Sequence, residues 1–348
     1  MLVTKQPMLR HFWYALFPMH DLDSGPKPFT LLGEDIVIWK KTDGTPAAAR
    51  DRCCHRTAKL SKGYVEGDNI VCGYHGWTYD CSGACVKIPQ FTTEKIPSGA
   101  KIEAYRCVEK YGYVWVALAE PLRPIPDFPE EGKPGYRRIF QLYDTWHCTP
   151  MRMMENSFDN SHFSFVHKGT FGDFGNPIPI SYGLNETDYG FEAQVSVSVL
   201  NPPDAHPITG STEPRVTRHM VNRYYLPFCR RMGVSYESGI DHMVYNCATP
   251  IDDERMVLVQ WLYRNDSEEQ CSTQKLIDWD TRVTLEDKYI LEATDFDVCM
   301  DTRRREEFHM PSDKPGLLIR KQILDLMATR GEEEVHRGNL AEREAASA

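Results

Sequence analysis

The chain has 348 residues, 41% hydrophobic and 26% charged, a soluble globular composition of a length suited to about two domains. Lys+Arg is 40 against Asp+Glu 50, a net charge of −10 that provides no basic footprint for nucleic acid or an anionic membrane surface. No apolar run approaches the roughly 18 residues of a membrane-spanning helix, so neither nucleic acid nor membrane is an expected partner.

The opening MLVTKQPMLRHFWYALFPMHD is aromatic, is interrupted by His11 and lacks a small-residue cleavage site, so it reads as folded structure and not as a signal peptide. Residues 29–116 read as all-β. FTLLGEDIVIWK and YGYVWVAL are short runs rich in β-branched and aromatic residues, separated by turn signals such as KTDGTP and DCSGAC. The proline-rich AEPLRPIPDFPEEGKPG (119–135) reads as an irregular connector and places a domain boundary there. From 136 onward, strand-like FEAQVSVSV and RMVLVQWLYR mix with helical segments, of which STQKLIDWDTRVTLEDKYILEA (272–293) is the clearest. The predicted fold class is therefore α+β. The tail RGEEEVHRGNLAEREAASA is charged and reads as a frayed surface helix or disorder. The 11 cysteines are odd in number and form no secreted disulfide framework, which favours a reducing, cytoplasmic compartment where clustered Cys and His mean metal.

The first such cluster is RDRCCHRTAKLSKGYVEGDNIVCGYHGW: Cys53-x-His55, sixteen residues, then Cys72-x-x-His75. A structural zinc site is the plainer reading, but zinc pairs usually run Cys with Cys and His with His. One Cys and one His on each loop suit a [2Fe–2S] cluster in which two thiolates hold one iron and two imidazoles the other, the Rieske pattern. The spacing assigns Cys53 and not Cys54 as the ligand. Cys81 and Cys85 read as small buried residues near the cluster.

The second cluster is MENSFDNSHFSFVHKG (154–169). On a helix, Asn156, Asp159 and His162 share one face, because each step of three turns about 300°. His167 then lies about 140° off that face. A helix that ends, tightens or bulges between Ser164 and Val166 is expected if both imidazoles bind one metal. Two His need a carboxylate to complete a facial triad with open positions for O2. On helix 272–293, Leu276, Trp279, Val283 and Ile290 form an apolar stripe, and Asp287 falls within it. An acid there is costly to bury without a partner or a metal. Asp280 is a weaker rival, and Glu286 and Glu292 are expected to point away. Asn156, a poor iron ligand, is expected to orient a water or a ligand. Phe158, Phe163 and Phe165 read as core.

Together, Cys-x-His-x16-Cys-x2-His and Asn-x2-Asp-x2-His-x4-His resemble the terminal oxygenase subunit of Rieske non-haem iron oxygenases, over roughly residues 8–325. LRHFWYALFP, VCGYHGWTYDCSGAC and EKYGYVWVAL look most like the compact monooxygenase branch, which includes dicamba O-demethylase, methylxanthine N-demethylases, toluenesulfonate methyl-monooxygenase and saxitoxin-pathway hydroxylases. In that branch the third iron ligand comes from an E-D-K/R-x-x-I/V-E helix, here EDKYILE, which lands on Asp287.

The resemblance implies an N-terminal all-β Rieske domain (8–120), a helix-grip α/β catalytic domain with an antiparallel sheet (121–330) and a charged tail (331–348). It implies a [2Fe–2S] cluster, mononuclear Fe(II) on His162, His167 and Asp287, O2 as co-substrate, and NAD(P)H electrons through a separate reductase, ferredoxin or both. It also implies a head-to-tail homotrimer, in which Asp159 bridges His75 of the partner subunit to His162. The expected activity is hydroxylation or oxidative O- or N-demethylation of a small aromatic or heterocyclic molecule. A ring cis-dihydroxylating dioxygenase is the alternative, and a Rieske electron carrier without oxygenase chemistry is the reading from another class.

Overall fold

The computed structural model describes residues 1–91, 95–297 and 299–337, so most of the charged tail, residues 338–348, lies outside the described residues. The chain parts between Ile125 and Pro126, inside the proline-rich connector. One unit is Gln6–Ile125; the other joins Met1–Lys5 to the described residues from Pro126 onward.

The first unit is all β. Its larger sheet holds β1 (Tyr14–Pro18), β2 (Lys27–Leu31), β3 (Glu34–Lys40), β4 (Pro46–Arg50), β9 (Ala104–Lys110) and β10 (Tyr113–Ala117) in the order β1-β10-β9-β4-β3-β2. The smaller sheet runs β5 (Tyr64–Glu66), β6 (Asn69–Val71), β7 (Thr78–Tyr79) and β8 (Cys85–Lys87). Strand β10 is buried at every position, as its aromatic and β-branched run YVWVA requires. Val37 and Trp39 of the larger sheet pack with Ile70, Tyr79 and Cys85 of the smaller one, and Cys53 and Cys72 sit within that core.

The second unit is built on a seven-stranded antiparallel sheet. Its strands are β11 (Arg137–Trp146), β12 (Gly183–Glu186), β13 (Gly190–Leu200), β14 (Arg215–Tyr225), β15 (Cys229–Ser235), β16 (Asp241–Pro250) and β17 (Met256–Arg264), in the order β11-β17-β16-β15-β14-β13-β12. The helices are α1 (Pro150–Ser157), α2 (Phe163–Val166), α3 (His206–Thr209), α4 (Thr273–Leu291) and α5 (Lys314–Thr329). The Ser272 side chain caps α4 by accepting from Lys275 N, and Leu276 and Trp279 bury against Ile139, Val244 and Leu262 of the sheet. Burying an apolar face of this kind contributes on the order of 2 kcal/mol per large side chain. The Arg320 guanidinium of α5 reaches Glu155 on α1 and Glu307, which pins the two helices together.

Two sequence expectations change here. Residues 332–336 of the tail form no helix. Glu334, Val335 and His336 are buried, and Leu2 N donates to Val335 O at 2.7 Å. The α4 stripe also shifts: Asp280, Thr284 and Leu291 are buried, whereas Ile290 is exposed, because the helix turns its buried face about one residue past the stripe read from the sequence.

Candidate functional site

The first unit presents two loops. Cys53 precedes a tight turn in which Thr57 N donates to Cys53 O and Cys53 N to Ala58 O. Cys72 opens a matching turn, with Gly76 N donating to Cys72 O and Cys72 N to Trp77 O. The loops approach so closely that a Cβ on Gly63 would stand 1.9 Å from Val71 O, which leaves glycine as the residue that fits there. Both thiols are buried, and Tyr79 Oη lies 3.0 Å from Cys53 Sγ. The His55 and His75 rings lie with centroids 4.6 Å apart, and His55 stacks on Trp77. Among the described residues, His55 Nδ1 is buried with no hydrogen-bond partner, the condition of a nitrogen that a metal satisfies. Burial pushes the Cys72 thiol up, so a cation is needed to hold it as thiolate. The four residues therefore suit the cluster their spacing suggested. Cys54 and Cys81 are exposed, and Cys85 is buried beside the loops.

In the second unit, α1 ends at Ser157, before Asp159. The single helical face expected for Asn156, Asp159 and His162 is not formed, because the Asp159 carboxylate competes for the backbone. Its Oδ1 accepts from Ser161 N at 2.7 Å and its Oδ2 from His162 N at 3.2 Å. The chain resumes in the single turn α2, with His162 just before it and His167 just after. The separation of five that a long helix could not accommodate is thus spanned by two helix ends.

That geometry brings three atoms together. His162 Nε2 and His167 Nε2 are 3.2 Å apart, and Asp287 Oδ1 lies 3.5 Å from the first and 3.4 Å from the second. Ligands about 2.1 Å from a cation and roughly at right angles have edges near 3 Å, so the triangle suits a facial set. The outer nitrogens settle the donor chemistry. His162 Nδ1 meets Asp159 Oδ2 at 3.2 Å, and His167 Nδ1 meets Glu286 Oε2 at 2.9 Å. A carboxylate only accepts, so each Nδ1 carries a proton and each ring turns its Nε2 inward. Three atoms of metal-ligating type thus face one another at ligand spacing, an arrangement that suits a cation. Asn156 Nδ2 donates to Asp287 Oδ1 at 3.0 Å and orients it. Burial alone would raise the Asp159 carboxyl, but its contacts with His162 and Ser161 hold it below the usual carboxylate range.

Glu286 corrects the sequence reading. It does not point away: its Oε2 also accepts from Thr170 Oγ1 at 2.8 Å. The loop after α2 packs along the flank of α4, within reach of a glutamate one residue from Asp287. Glu292 does turn aside and accepts from His147 N. Gly172 lets that loop close, since a Cβ there would stand 2.1 Å from Phe163 O.

The triad opens on a cavity lined by α4, the α1–α2 segment and one face of the sheet. Phe163 lines it and Phe165 is exposed, whereas Phe158 alone of the three aromatics is fully buried. A chain of side chains crosses the cavity floor. Arg230 donates to Asn246 Oδ1, Asn246 Nδ2 to Gln260 Oε1 at 2.5 Å, Gln260 Nε2 to Gln141 Oε1 at 2.8 Å, and Gln141 to Asp280. Asp280 also meets His242 Nε2 at 3.1 Å. Arg264 can only donate, so its contact to His242 Nδ1 at 3.0 Å leaves the histidine proton on Nε2, facing Asp280. This network ties α4 to β11, β15, β16 and β17, and so fixes the helix that carries Asp287. Sequence reading missed it because its members are scattered over four strands.

Both units match known protein families. Residues 12–109 match the Rieske [2Fe-2S] domain family, and residues 146–329 match the vanillate O-demethylase oxygenase C-terminal domain family. Methylxanthine N1-demethylase NdmA of Pseudomonas putida is 31% identical over 331 residues, 91% of this chain and 89% of that protein. The solved structure of Pseudomonas putida CBB5 NdmA with caffeine superposes with a TM-score of 0.81 at 30% identity, covering 94% of each chain. Dicamba monooxygenase bound to dicamba shares the fold, with a TM-score of 0.79 at 20% identity over 93% of this chain and 98% of that one.

Proposed function

Because the chain belongs to the Rieske non-haem iron oxygenases, oxidoreductases that hydroxylate or demethylate their substrates, we propose that His162, His167 and Asp287 hold a ferrous iron for oxidative O- or N-demethylation. The observation that carries the reading is the convergence of two imidazole Nε2 atoms and one carboxylate oxygen at the wall of a cavity. Cys53, His55, Cys72 and His75 hold the [2Fe–2S] cluster of the Rieske domain in the same proposal. When bound, these groups would supply one-electron transfer and the activation of O2.

The chain's own residues prepare that chemistry. Asp159 and Glu286 keep the outer protons on His162 and His167, so that both rings face the iron in one tautomer. Asn156 holds one oxygen of Asp287 in place. Phe163, Phe171, Val283 and Trp279 give the cavity apolar walls that pack a small ring and exclude water from the methyl group to be oxidised. With two electrons, two protons and O2, a methyl on oxygen or nitrogen becomes hydroxymethyl and one water leaves. The resulting hemiacetal or hemiaminal then releases formaldehyde.

Asp159 also supports an assembly. Its carboxylate retains exposure on one side and could accept from His75 of the partner subunit in a head-to-tail trimer, linking that cluster to His162. The exposed Phe165, Leu285, Tyr289 and Ile290 provide apolar surface for such a contact. Electrons would come from NAD(P)H through a separate reductase or ferredoxin. The cysteine spacing supports a reducing, cytoplasmic location. No helix among the described residues is long and apolar enough to cross a membrane.

The test is O2 uptake with formaldehyde detection against methoxy acids, methylated aromatics and N-methyl heterocycles, using a surrogate reductase. One formaldehyde per O2 is expected with a true substrate. Hydroxylated product without formaldehyde would remove demethylation, and a ring cis-diol would overturn the monooxygenase reading.

A further inference from the structure

Arg218 on β14 lines the cavity that holds the triad, and it is 8% exposed. Among the described residues, no carboxylate lies within ion-pair distance of it. Its Nε is buried without a hydrogen-bond partner. Its guanidinium rests instead on the face of Phe171, 3.7 Å from the ring centroid. An arginine does not escape burial by losing its proton, so an unpaired guanidinium in this position is costly unless something else brings the counter-charge.

The neighbouring acids are committed elsewhere. Asp280 is held by His242 and Gln141, and Asp287 belongs to the triad. Arg230, the second buried arginine of the cavity, bonds to neutral acceptors, Asn246 Oδ1 and Ser157 O. Among the described residues, then, no carboxylate is bonded to either of the cavity's two buried guanidinium groups.

We infer that Arg218 is the anchor for an anionic group of the substrate, and that this chain acts on a small aromatic acid, a carboxylate or a sulfonate, bearing an O- or N-methyl group. The inference rests on the reading of this cavity as the substrate site. Position sets the size of the molecule. Phe171 stacks on His167 with centroids 4.6 Å apart and carries Arg218 3.7 Å from its ring centroid, so the guanidinium lies no more than about 8 Å from the His167 ring. An anion on Arg218 and a methyl at the triad then belong to one single-ring molecule. The planar fork of arginine recognises either acid through two parallel hydrogen bonds.

The experiment is calorimetric titration of the holoenzyme with 3-methoxybenzoate, 3-methoxybenzamide and caffeine, repeated on R218M and R218K. The acid is expected to bind at least tenfold more tightly than the amide, which equals about 1.4 kcal/mol. That preference should disappear in R218M, which keeps an unbranched chain over Phe171, and shrink in R218K, with amide binding little changed. Added salt should weaken the acid alone. Equal binding of acid and amide, tighter binding of caffeine, no binding of the acid, or a preference that survives in R218M would each overturn the inference. If R218M fails to fold, as judged by the cluster absorption, an undiminished preference in R218K overturns it instead. Binding needs no turnover, so the two readings separate. Arg218-dependent acid binding without formaldehyde from any methylated acid would sink demethylation and leave the anion site. Formaldehyde from neutral substrates alone would do the reverse.

Discussion

Replacing Glu286 by alanine should weaken the mononuclear iron without touching the cluster. Its Oε2 accepts from His167 Nδ1 at 2.9 Å and from Thr170 Oγ1 at 2.8 Å, and the His167 ring is almost wholly buried. Truncation leaves the Nδ1–H without an acceptor in a place short of water, at a cost of about 1–3 kcal/mol. It also frees the ring to change tautomer, which would turn a protonated Nε2 toward Asp287. Loss of the outer partner of a ligating histidine usually costs 10–100-fold in metal affinity, about 1.4–2.8 kcal/mol. Glu286→Gln keeps an acceptor but loses the charge, and should fall roughly midway. The assay is competition between the protein and a ferrous chelator, with the visible absorption of the cluster as an internal control. Iron affinity in Glu286→Ala within twofold of wild type would refute the role given to this residue.

Three further outcomes follow from the same geometry. Gly172→Ala should empty the mononuclear site more completely than Glu286→Ala, because its Cβ would collide with the backbone of Phe163 and His167; metal analysis with a retained cluster spectrum checks this. Gly63→Ala should have the opposite pattern, since its Cβ would meet Val71 O and force the two cluster loops apart; loss of cluster absorption with mononuclear iron retained is the expected result. Asp159→Asn should keep both metals yet lose most turnover, at least about tenfold, because one side-chain oxygen still accepts near His162 while the charge toward the partner subunit is gone. Full activity in Asp159→Asn would refute the bridge.

Much of the site is legible before any fold is known. Cys-x-His and Cys-x-x-His name two loops, and the pairing of one Cys with one His on each separates this pattern from the usual zinc site. Asp287 stands out as an acid in an apolar stripe. The helix through Asp159 was misread because periodicity does not register a carboxylate that captures the N–H groups of Ser161 and His162. Glu286 escaped for a related reason. On a helical wheel it lies off the stripe, and only the path of the loop after α2 puts His167 within its reach. Arg218 was hidden by the strand itself. RVTRHMVNRYY carries Arg218, Met220, Asn222 and Tyr224 inward, and an inward arginine breaks the alternation by which a half-buried strand is read.

The number of irons per chain tests the two metal sites most directly. Iron analysis with spectroscopic quantification of the cluster should find about three irons per chain in the wild type, two in the [2Fe–2S] cluster and one beyond it. In Asp287→Ala the total should fall to about two with the cluster signal intact and O2 uptake abolished. A third iron that persists in Asp287→Ala, or a wild type saturated with Fe(II) that still holds only the two cluster irons, would contradict the metal site proposed at His162, His167 and Asp287.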